Sequence, residues 1–334
     1  MVAPGTVRPR AMLMTVLMTV LTTGRVAAVD CGTNSLRLLV ADVGRAGLTD
    51  VTRRMEIVRL GEGVDRTGRL APAALARTAG VLRDYADVIA AAQARSVRMV
   101  ATSATRDAAN AAEFTHQVKE ILGVAPEVLT GSEEAMLSFT GATAELAARD
   151  GFLSPVLVAD IGGGSTEFVL GTPGEPAVHA ISVDIGCVRM TERHLAGDPP
   201  AEAELAAATA DIDAALDAVA AAVPVGRART LIGLAGSVTT VAGIALGLPA
   251  YDAARIHHVR VPAAGVHEVA RSLLAQTRAA RAEVGVMHPG RVDVIGGGAL
   301  ILDRIMRRFD FSEVLVSEHD ILDGIAWSLA RGEP

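Results

Sequence analysis

Val26-Ala27-Ala28-Val29-Asp30-Cys31-Gly32-Thr33-Asn34-Ser35-Leu36-Arg37-Leu38-Leu39-Val40-Ala41 decides the reading of this chain, because it recurs. Shifted by 130 positions, Asp30 falls on Asp160, Gly32 on Gly162 and Ser35 on Ser165, while Leu38–Val40 fall on Phe168–Leu170. Each unit is a strand, Asp-x-Gly-x-x-Ser, and a second strand, the later one spanning Leu157–Gly171. Two copies of one topology facing across a cleft is the simplest account.

The surrounding pattern restarts with the repeat. Val26–Val29, Leu36–Asp42 and Val51–Leu60 read as three consecutive strands. Pro72–Ala92 follows as a helix, with Pro in its first turn and Leu75, Ala79, Leu82, Val88 and Ile89 apolar. Ser96–Ala101 is a strand, Ala108–Leu122 a helix and Glu127–Thr130 a short strand. Gly131-Ser132-Glu133-Glu134 then opens a helix to about Ala148, with Ser132 as N-cap. Strands Val156–Ala159, Glu167–Leu170 and Val178–Val183 repeat the opening order. Helices Cys187–Leu195 and Glu202–Ala222, strand Thr230–Leu234, and helices Val238–Leu246 and Gly265–Arg278 follow. Helix Arg291–Arg308, strand Glu313–Val316 and helix His319–Ala330 close the chain. Strands interleaved with helices indicate an α/β fold with mixed sheets. At 334 residues two domains are expected. The boundaries are 24–134 and 135–334, with the last helix (319–330) packing back on the first domain.

Half the residues are hydrophobic and only 3% aromatic, so aliphatic and Ala packing must fill the cores. A net charge of −7 argues against non-specific nucleic-acid binding, which needs a basic face. Lys119 is the sole lysine, and with the other basic residues all arginine, no single arginine stands out by composition. Cys31 and Cys187 form no metal spacing or disulfide framework and read as buried residues of a reducing compartment. Arg8 and Arg10 precede Ala11–Thr23, a run with the make-up of a signal peptide but too short to span a bilayer. No A-x-A-type site precedes the first strand. The competing explanation is an over-long start, with the native chain beginning near Met14 or Met18, and residues 1–23 are excluded from the fold. No other segment reads as transmembrane, so a cytoplasmic protein without membrane partners is expected.

A tight Gly turn between strands points successive N–H groups into one concavity, a nest for anionic oxygens. Gly162-Gly163-Gly164 allows close backbone approach, and Thr33, Asn34, Ser35, Ser165 and Thr166 add side-chain donors. Asp30 and Asp160 at the strand ends would repel phosphate unless a cation intervened, which suggests Mg²⁺. One such loop alone is more simply a hairpin turn; two matching loops are not. There is no Gly-x-x-x-x-Gly-Lys loop, and Gly163-Gly164-Ser165-Thr166-Glu167 misses the nucleophile elbow at its last position. His257-His258 and the other six histidines lack metal-site spacing and read as surface or capping residues.

Val29–Ser35 and Asp160–Glu167 resemble the paired phosphate motifs of the exopolyphosphatase/guanosine pentaphosphate phosphatase family. Ala101-Thr102-Ser103-Ala104-Thr105-Arg106-Asp107-Ala108, Thr130-Gly131-Ser132-Glu133-Glu134-Ala135, Gly233-Leu234-Ala235-Gly236-Ser237 and Arg291-Val292-Asp293-Val294-Ile295-Gly296-Gly297-Gly298 are similar to it in order and spacing. The resemblance runs from about Arg25 to the C-terminus and is closest to the short actinobacterial exopolyphosphatases. It implies two actin-like (ribonuclease H-like) domains flanking a cleft, as in actin, sugar kinases and the 70-kDa chaperones.

The resemblance also implies roles. Glu134 matches the glutamate that activates the attacking water, with Glu133 as competitor. A helix first turn favours an ionised carboxylate, as a base requires. Asp160 and Glu167 match metal or water-positioning residues. Arg106 matches a phosphate-contacting arginine, suited by its fork. Gly32, Thr33, Asn34, Ser35, Gly162, Gly163, Gly164 and Ser165 would hold the substrate. Gly236-Ser237 and Gly296-Gly297-Gly298 either admit a nucleoside or allow close packing. The expected activity is hydrolysis of the terminal phosphate of inorganic polyphosphate with Mg²⁺, and a homodimer is one assembly to consider. Guanosine pentaphosphate is the alternative substrate; an ATP-dependent kinase and a non-catalytic phosphate-chain sensor are the other classes. Longer family members carry further C-terminal helical domains, so a chain ending at Pro334 is expected to favour short polyphosphate.

Overall fold

The structure is a computed structural model that describes residues 24–44, 47–146, 152–175, 177 and 179–332. The expected N-terminal extension (1–23), positions 147–148 of the helix after Gly131, and Val178 lie outside the described residues. No described helix is long and apolar enough to cross a membrane.

The first sheet holds β1 (Gly24–Cys31), β2 (Ser35–Gly44), β3 (Gly47–Ile57), β4 (Ser96–Ala101) and β5 (Glu127–Val128), in the order β3-β2-β1-β4-β5. Its helices are α1 (Val64–Thr67), α2 (Pro72–Ala91), α3 (Ser103–Arg106) and α4 (Ala111–Leu122), followed by α5 (Gly131–Thr143). The second sheet holds β6 (Val156–Ile161), β7 (Thr166–Gly171), β8 (His179–Val183), β9 (Thr230–Leu234), β10 (Arg260–Pro262) and β11 (Glu313–Val316), in the order β10-β11-β9-β6-β7-β8. With it go α6 (Cys187–His194), α7 (Glu202–Ala222), α8 (Ala235–Ala245), α9 (Ala253–Ile256), α10 (Ala263–Ala275), α11 (Arg278–Ala282), α12 (Ile295–Phe309) and α13 (Ile321–Arg331). In both sheets the leading strand pairs antiparallel with the next one and parallel with a later one: β1 with β2 and β4, β6 with β7 and β9. These are the two mixed sheets of one topology that the repeat implies, in the actin-like arrangement that the family resemblance implies.

The strands read as continuous apolar runs because both faces are covered. Ala27, Val29 and Cys31 of β1 pack with Leu75, Leu82 and Tyr85 of α2 and with Phe114 and Val118 of α4. Val26 and Ala28 face the other way, onto Ile321, Leu322, Ile325 and Ala326 of α13. In the second sheet, Val156 and Val158 pack on Ala135 and Phe139 of α5. Leu157 and Ala159 lie in a separate core with Ile212 and Leu216 of α7 and Ile301 of α12. At about 1.5–3 kcal/mol for each large aliphatic side chain, these layers are the main stabilising term.

Several boundaries differ from the sequence reading for local reasons. The cap of α5 is Thr130, not Ser132: its hydroxyl accepts from the Glu133 N–H, and the Glu133 carboxylate accepts from the Thr130 N–H in return. The strand expected over 51–60 is β3, ending at Ile57, because the N–H groups of Val58 and Arg59 turn to the Asn34 carbonyl. The helix expected from Arg291 starts at Ile295, since Pro289–Arg291 form a 3-10 turn.

Helices α5 and α13 cross between the two sheets at glycines. A Cβ on Gly141 would lie 1.8 Å from the Asp320 carbonyl oxygen, and one on Gly324 would lie 2.0 Å from that of Leu137. Both contacts are with backbone, which cannot step aside cheaply. Gly141→Ala is therefore expected to destabilise the protein by at least about 2 kcal/mol, the usual range for overpacking. Thermal unfolding checks this; a melting temperature equal to that of the parent would show that the helices separate freely.

Candidate active site

The two turns of the repeat meet face to face. A Cβ on Gly163 would come within 2.8 Å of Thr33 Cβ, and one on Gly164 within 2.6 Å of Ser103 Oγ, so glycine alone allows this approach. Each turn is closed the same way, by the Gly32 N–H on the Ser35 carbonyl and the Gly162 N–H on the Ser165 carbonyl, both 3.0 Å.

The carbonyls of Thr33, Asn34, Gly162, Gly163 and Gly164 are held by the segment that follows each hairpin. Thr33 O accepts from the Gly61 N–H, and Asn34 O from the N–H groups of Val58 and Arg59. Gly162 O accepts from Cys187 N–H, Gly163 O from Val188 and Arg189 N–H, and Gly164 O from Nε of Arg189 at 2.7 Å. With the carbonyls bound there, the hydrogen bonds among the described residues do not use the N–H groups of Thr33, Asn34, Ser35, Gly163, Gly164 and Ser165. That is the anion nest the repeat suggested.

The charge between the turns is set by strand register. Asp160 is paired with Glu167 across β6–β7, so both carboxylates stand on one face. The corresponding pair in the first hairpin is Asp30 with Arg37, which bond at 2.6 and 2.9 Å. Arg37 also bonds Asp320, the N-cap of α13. Burial, and then Glu167, push the Asp160 carboxyl up to about 8, although Ser138 Oγ donates to it at 2.6 Å. Burial raises Glu167 too, against a 2.7 Å bond from Ser182 Oγ.

Glu134 is buried in the first turn of α5 beside this pair. Burial and the Glu167 charge hold it well above the ordinary glutamate range, with Arg106 pulling the other way. Burial therefore works against the preference of the helix start for an ionised Glu134. Glu133 is the reverse case, lowered by the N–H and hydroxyl of Thr130, and it completes the capping box.

A cleft of about 100 Å³ collects Gly32, Thr33, Asn34, Ser35, Glu134, Asp160, Gly162, Gly163, Ser165 and Glu167. Gly164 lies just behind it, and Arg106 does not line it. The Arg106 guanidinium instead donates to the Leu129 carbonyl (2.9 Å) and to Glu134 (3.2 Å). A divalent cation suits this donor set on two grounds. Asp160, Glu167 and Glu134 crowd negative charge in a buried space, and Asp30 Oδ1 is buried without a hydrogen-bond partner.

The sequence profile of the Ppx/GppA phosphatase family matches residues 39–332. The chain belongs to that family. It is 50% identical to exopolyphosphatase 2 of Mycobacterium tuberculosis, over 92% of this chain and 98% of that protein. A guanosine-5'-triphosphate,3'-diphosphate pyrophosphatase of Aeromonas salmonicida is 29% identical over 91% of this chain and 59% of its own length. Among solved structures, an exopolyphosphatase-like protein superposes with a TM-score of 0.89 at 42% identity, covering 93% of this chain and 98% of that one. The Aquifex aeolicus Ppx/GppA enzyme does so at 0.76 and 30%, covering 92% and 100%.

Two cleft arginines of this family member escaped the sequence reading. Arg37 and Arg291 both line the cleft, and both also line a neighbouring cavity of about 490 Å³ that adds Arg53 and Arg54. Arg37 is the repeat's counterpart of Glu167 and Arg291 opens one of the quoted motifs, yet neither was given a role; the β2 register and the turn before α12 bring them into the cleft. A Cβ on Gly298 would meet Ser237 Oγ at 2.1 Å, which is close packing, whereas Gly236 lines both the cleft and the neighbouring cavity beside the Arg291 guanidinium.

Three ligand-type residues do meet in space without any metal-site spacing in sequence. Glu145, His257 and His319 bring ligand-type atoms within 4.8 Å of one another, the sole such trio among the described residues. They come from separate elements, so spacing in sequence could not reveal them. The Glu318 N–H donates to His257 Nδ1 at 3.1 Å, which places the ring proton on Nε2, the atom facing Glu145 at 3.7 Å. A neutral imidazole carries one proton, so that nitrogen is not a metal ligand.

The raised Asp160 carboxyl has a stability consequence. The folded protein holds this proton more tightly than the unfolded chain does. Between the ordinary carboxylate range and about 8, stability therefore falls as pH rises. In divalent-free buffer, Asp160→Asn is expected to melt above the parent at about pH 8 and to converge with it near about pH 4. Parallel melting curves for the two proteins across this range would refute the assignment.

Proposed function

We propose that this chain is an exopolyphosphatase that hydrolyses the terminal phosphoanhydride of inorganic polyphosphate, with Glu134 as the general base. The observation that carries the reading is the convergence of two N–H-presenting turns on a buried glutamate in one cleft. The 50% identity to a protein named exopolyphosphatase 2 supports the substrate.

In this reading the turn N–H groups and the hydroxyls of Thr33 and Ser103 receive the terminal phosphate. Glu134 takes a proton from water as the water oxygen bonds to phosphorus, and the bridging oxygen leaves with the shortened chain. Its raised proton affinity makes Glu134 a stronger base than a surface glutamate, while Arg106 fixes the carboxylate's orientation. Arg37 and Arg291 meet the charge that grows on the leaving oxygen, and the cavity beyond them takes the rest of the chain. Mg²⁺ held by Asp160 and Glu167 would neutralise phosphate charge in the cleft. The free, buried Cys31 and Cys187 are compatible with a reducing, cytoplasmic setting.

Guanosine pentaphosphate remains the second reading, because the neighbouring cavity also carries Met55, Tyr251, Val286 and Met287, a surface fit for a base. A passive sensor is disfavoured by carboxylates that a simple anion site has no use for.

The test is phosphate release from polyphosphate and from guanosine pentaphosphate, with no ATP or acceptor present. Glu134→Gln is expected to keep KM within a few-fold and to lose at least about 10²-fold in kcat. The acidic limb of the parent's pH profile should lie above the ordinary glutamate range and vanish in the variant. Release confined to guanosine pentaphosphate would replace the first reading with the second, and unimpaired turnover in the variant would remove Glu134 from the mechanism.

A further inference from the structure

Arg189, in the first turn and a half of α6, binds three acceptors from three parts of the chain. Its Nε donates to the Gly164 carbonyl of the second phosphate turn at 2.7 Å. One terminal nitrogen reaches Asp65 on α1 at 2.5 Å, and the other reaches Asp107, the C-cap of α3, at 2.6 Å. Asp184 lies further off, at 3.9 Å. Asp65 and Asp107 belong to the part of the chain built on the first sheet, and Gly164 to the part built on the second. The guanidinium is nearly buried, so its charge is balanced by these carboxylates and little by water.

Other contacts cross the cleft nearby but do not touch a phosphate turn. Arg193, one helical turn further along α6, bonds Asp65 at 2.8 and 2.9 Å and then Asp211. The Gly63 N–H donates to Glu192 at 3.1 Å. Arg189 alone among these joins the far side of the cleft to the peptide that presents the Ser165 N–H. A planar guanidinium with its three nitrogens bound fixes the direction of the Gly164 carbonyl, and hence of the N–H across the same peptide unit.

We infer that Arg189 is a positioning residue that couples closure of the cleft over Asp65 and Asp107 to the set of the second phosphate turn. The inference rests on the proposed phosphatase reading, in which that turn grips the scissile phosphate. When the two sides separate, the carboxylate anchors are lost and the guanidinium no longer has one fixed direction. The Gly164–Ser165 peptide is then free to rotate, and the nest loses a donor.

Arg193 supplies the control, because Arg193→Gln and Arg189→Gln each break a cross-cleft pair to Asp65 and only the latter frees the Gly164 carbonyl. With polyphosphate as substrate, Arg189→Gln is expected to lose on the order of tenfold or more in kcat/KM, the worth of one charge-assisted hydrogen bond. Arg193→Gln should stay within about twofold at a similar melting temperature. Arg189→Lys keeps the charge but cannot reach Gly164 and both carboxylates with one nitrogen, and should resemble Arg189→Gln. If Arg189→Gln fails to fold, Asp107→Asn, which removes an anchor that Arg193 does not share, should lower kcat/KM more than Arg193→Gln does. Equal losses in the Arg189 and Arg193 variants, or full activity in Arg189→Lys, would reduce Arg189 to an ordinary tie. A parent that releases no phosphate at all would instead overturn the functional reading beneath it.

Discussion

In the β6–β7 hairpin, antiparallel register sets Asp160 directly opposite Glu167, and side chains so placed share one face with Cβ atoms about 4.5–5.5 Å apart. Like charges there would be destabilising even on a wet surface. Here both are buried, so the penalty is far larger. The same register in the β1–β2 hairpin puts Arg37 opposite Asp30, and the pair neutralises itself. One duplicated scaffold thus carries two electrostatic outcomes. The first hairpin is a nest whose Asp30 is paired with Arg37, and the second is a nest backed by two carboxylates set against each other. The rest of the cleft follows from that asymmetry. Phosphate is held between the hairpins, and positive charge has to arrive on the side of Asp160 and Glu167.

The turns can present N–H groups only because their carbonyls are bound elsewhere. A buried carbonyl without a donor costs roughly as much as a lost hydrogen bond, so an anion nest must come with a second layer of donors behind it. In the first turn that layer is the backbone of residues 58–61, which explains why β3 stops at Ile57. In the second it is the start of α6, where the backbone of Cys187, Val188 and Arg189 and the Arg189 side chain take the carbonyls in order. The glycines then have a definite reason. They let two such turns, each with its own backing layer, come within van der Waals distance across the cleft.

Much of this was legible in the sequence, and the failures have physical causes. The repeat was readable because strand–turn–strand units are local and their Gly, Asp and Ser positions are fixed by turn geometry. Glu134 was readable through its motif, although the Glu133–Glu134 choice needed the cap: only the side chain that is not folded back onto Thr130 can face inward. Arg37, Arg291 and Asp320 were not readable. Arg37 and Arg291 sit in quoted stretches, but the tie of Arg37 to Asp320, far along the chain, is set only by the tertiary fold. The meeting of Glu145, His257 and His319 was invisible for the same reason, and its chemistry turns on one backbone N–H.

The state of Glu134 shows how magnitudes decide between opposing rules. A helix N-terminus favours an ionised carboxylate by about 0.3–1 kcal/mol, and by at most about 2 kcal/mol in partly buried cases. One pKa unit corresponds to about 1.4 kcal/mol, and desolvation of a fully buried carboxyl can shift it by several units. Burial, with Glu167 beside it, therefore outweighs both the helix and Arg106, and the proton affinity rises. Burial raises the proton affinity of all three carboxyls, Glu134, Asp160 and Glu167. Positive charge entering beside Asp160 and Glu167 would relieve their crowding and lower the proton affinity of Glu134 in the same event. Under the proposed chemistry, a glutamate buried this way is poised as a base when the cleft is loaded and is held back when it is not.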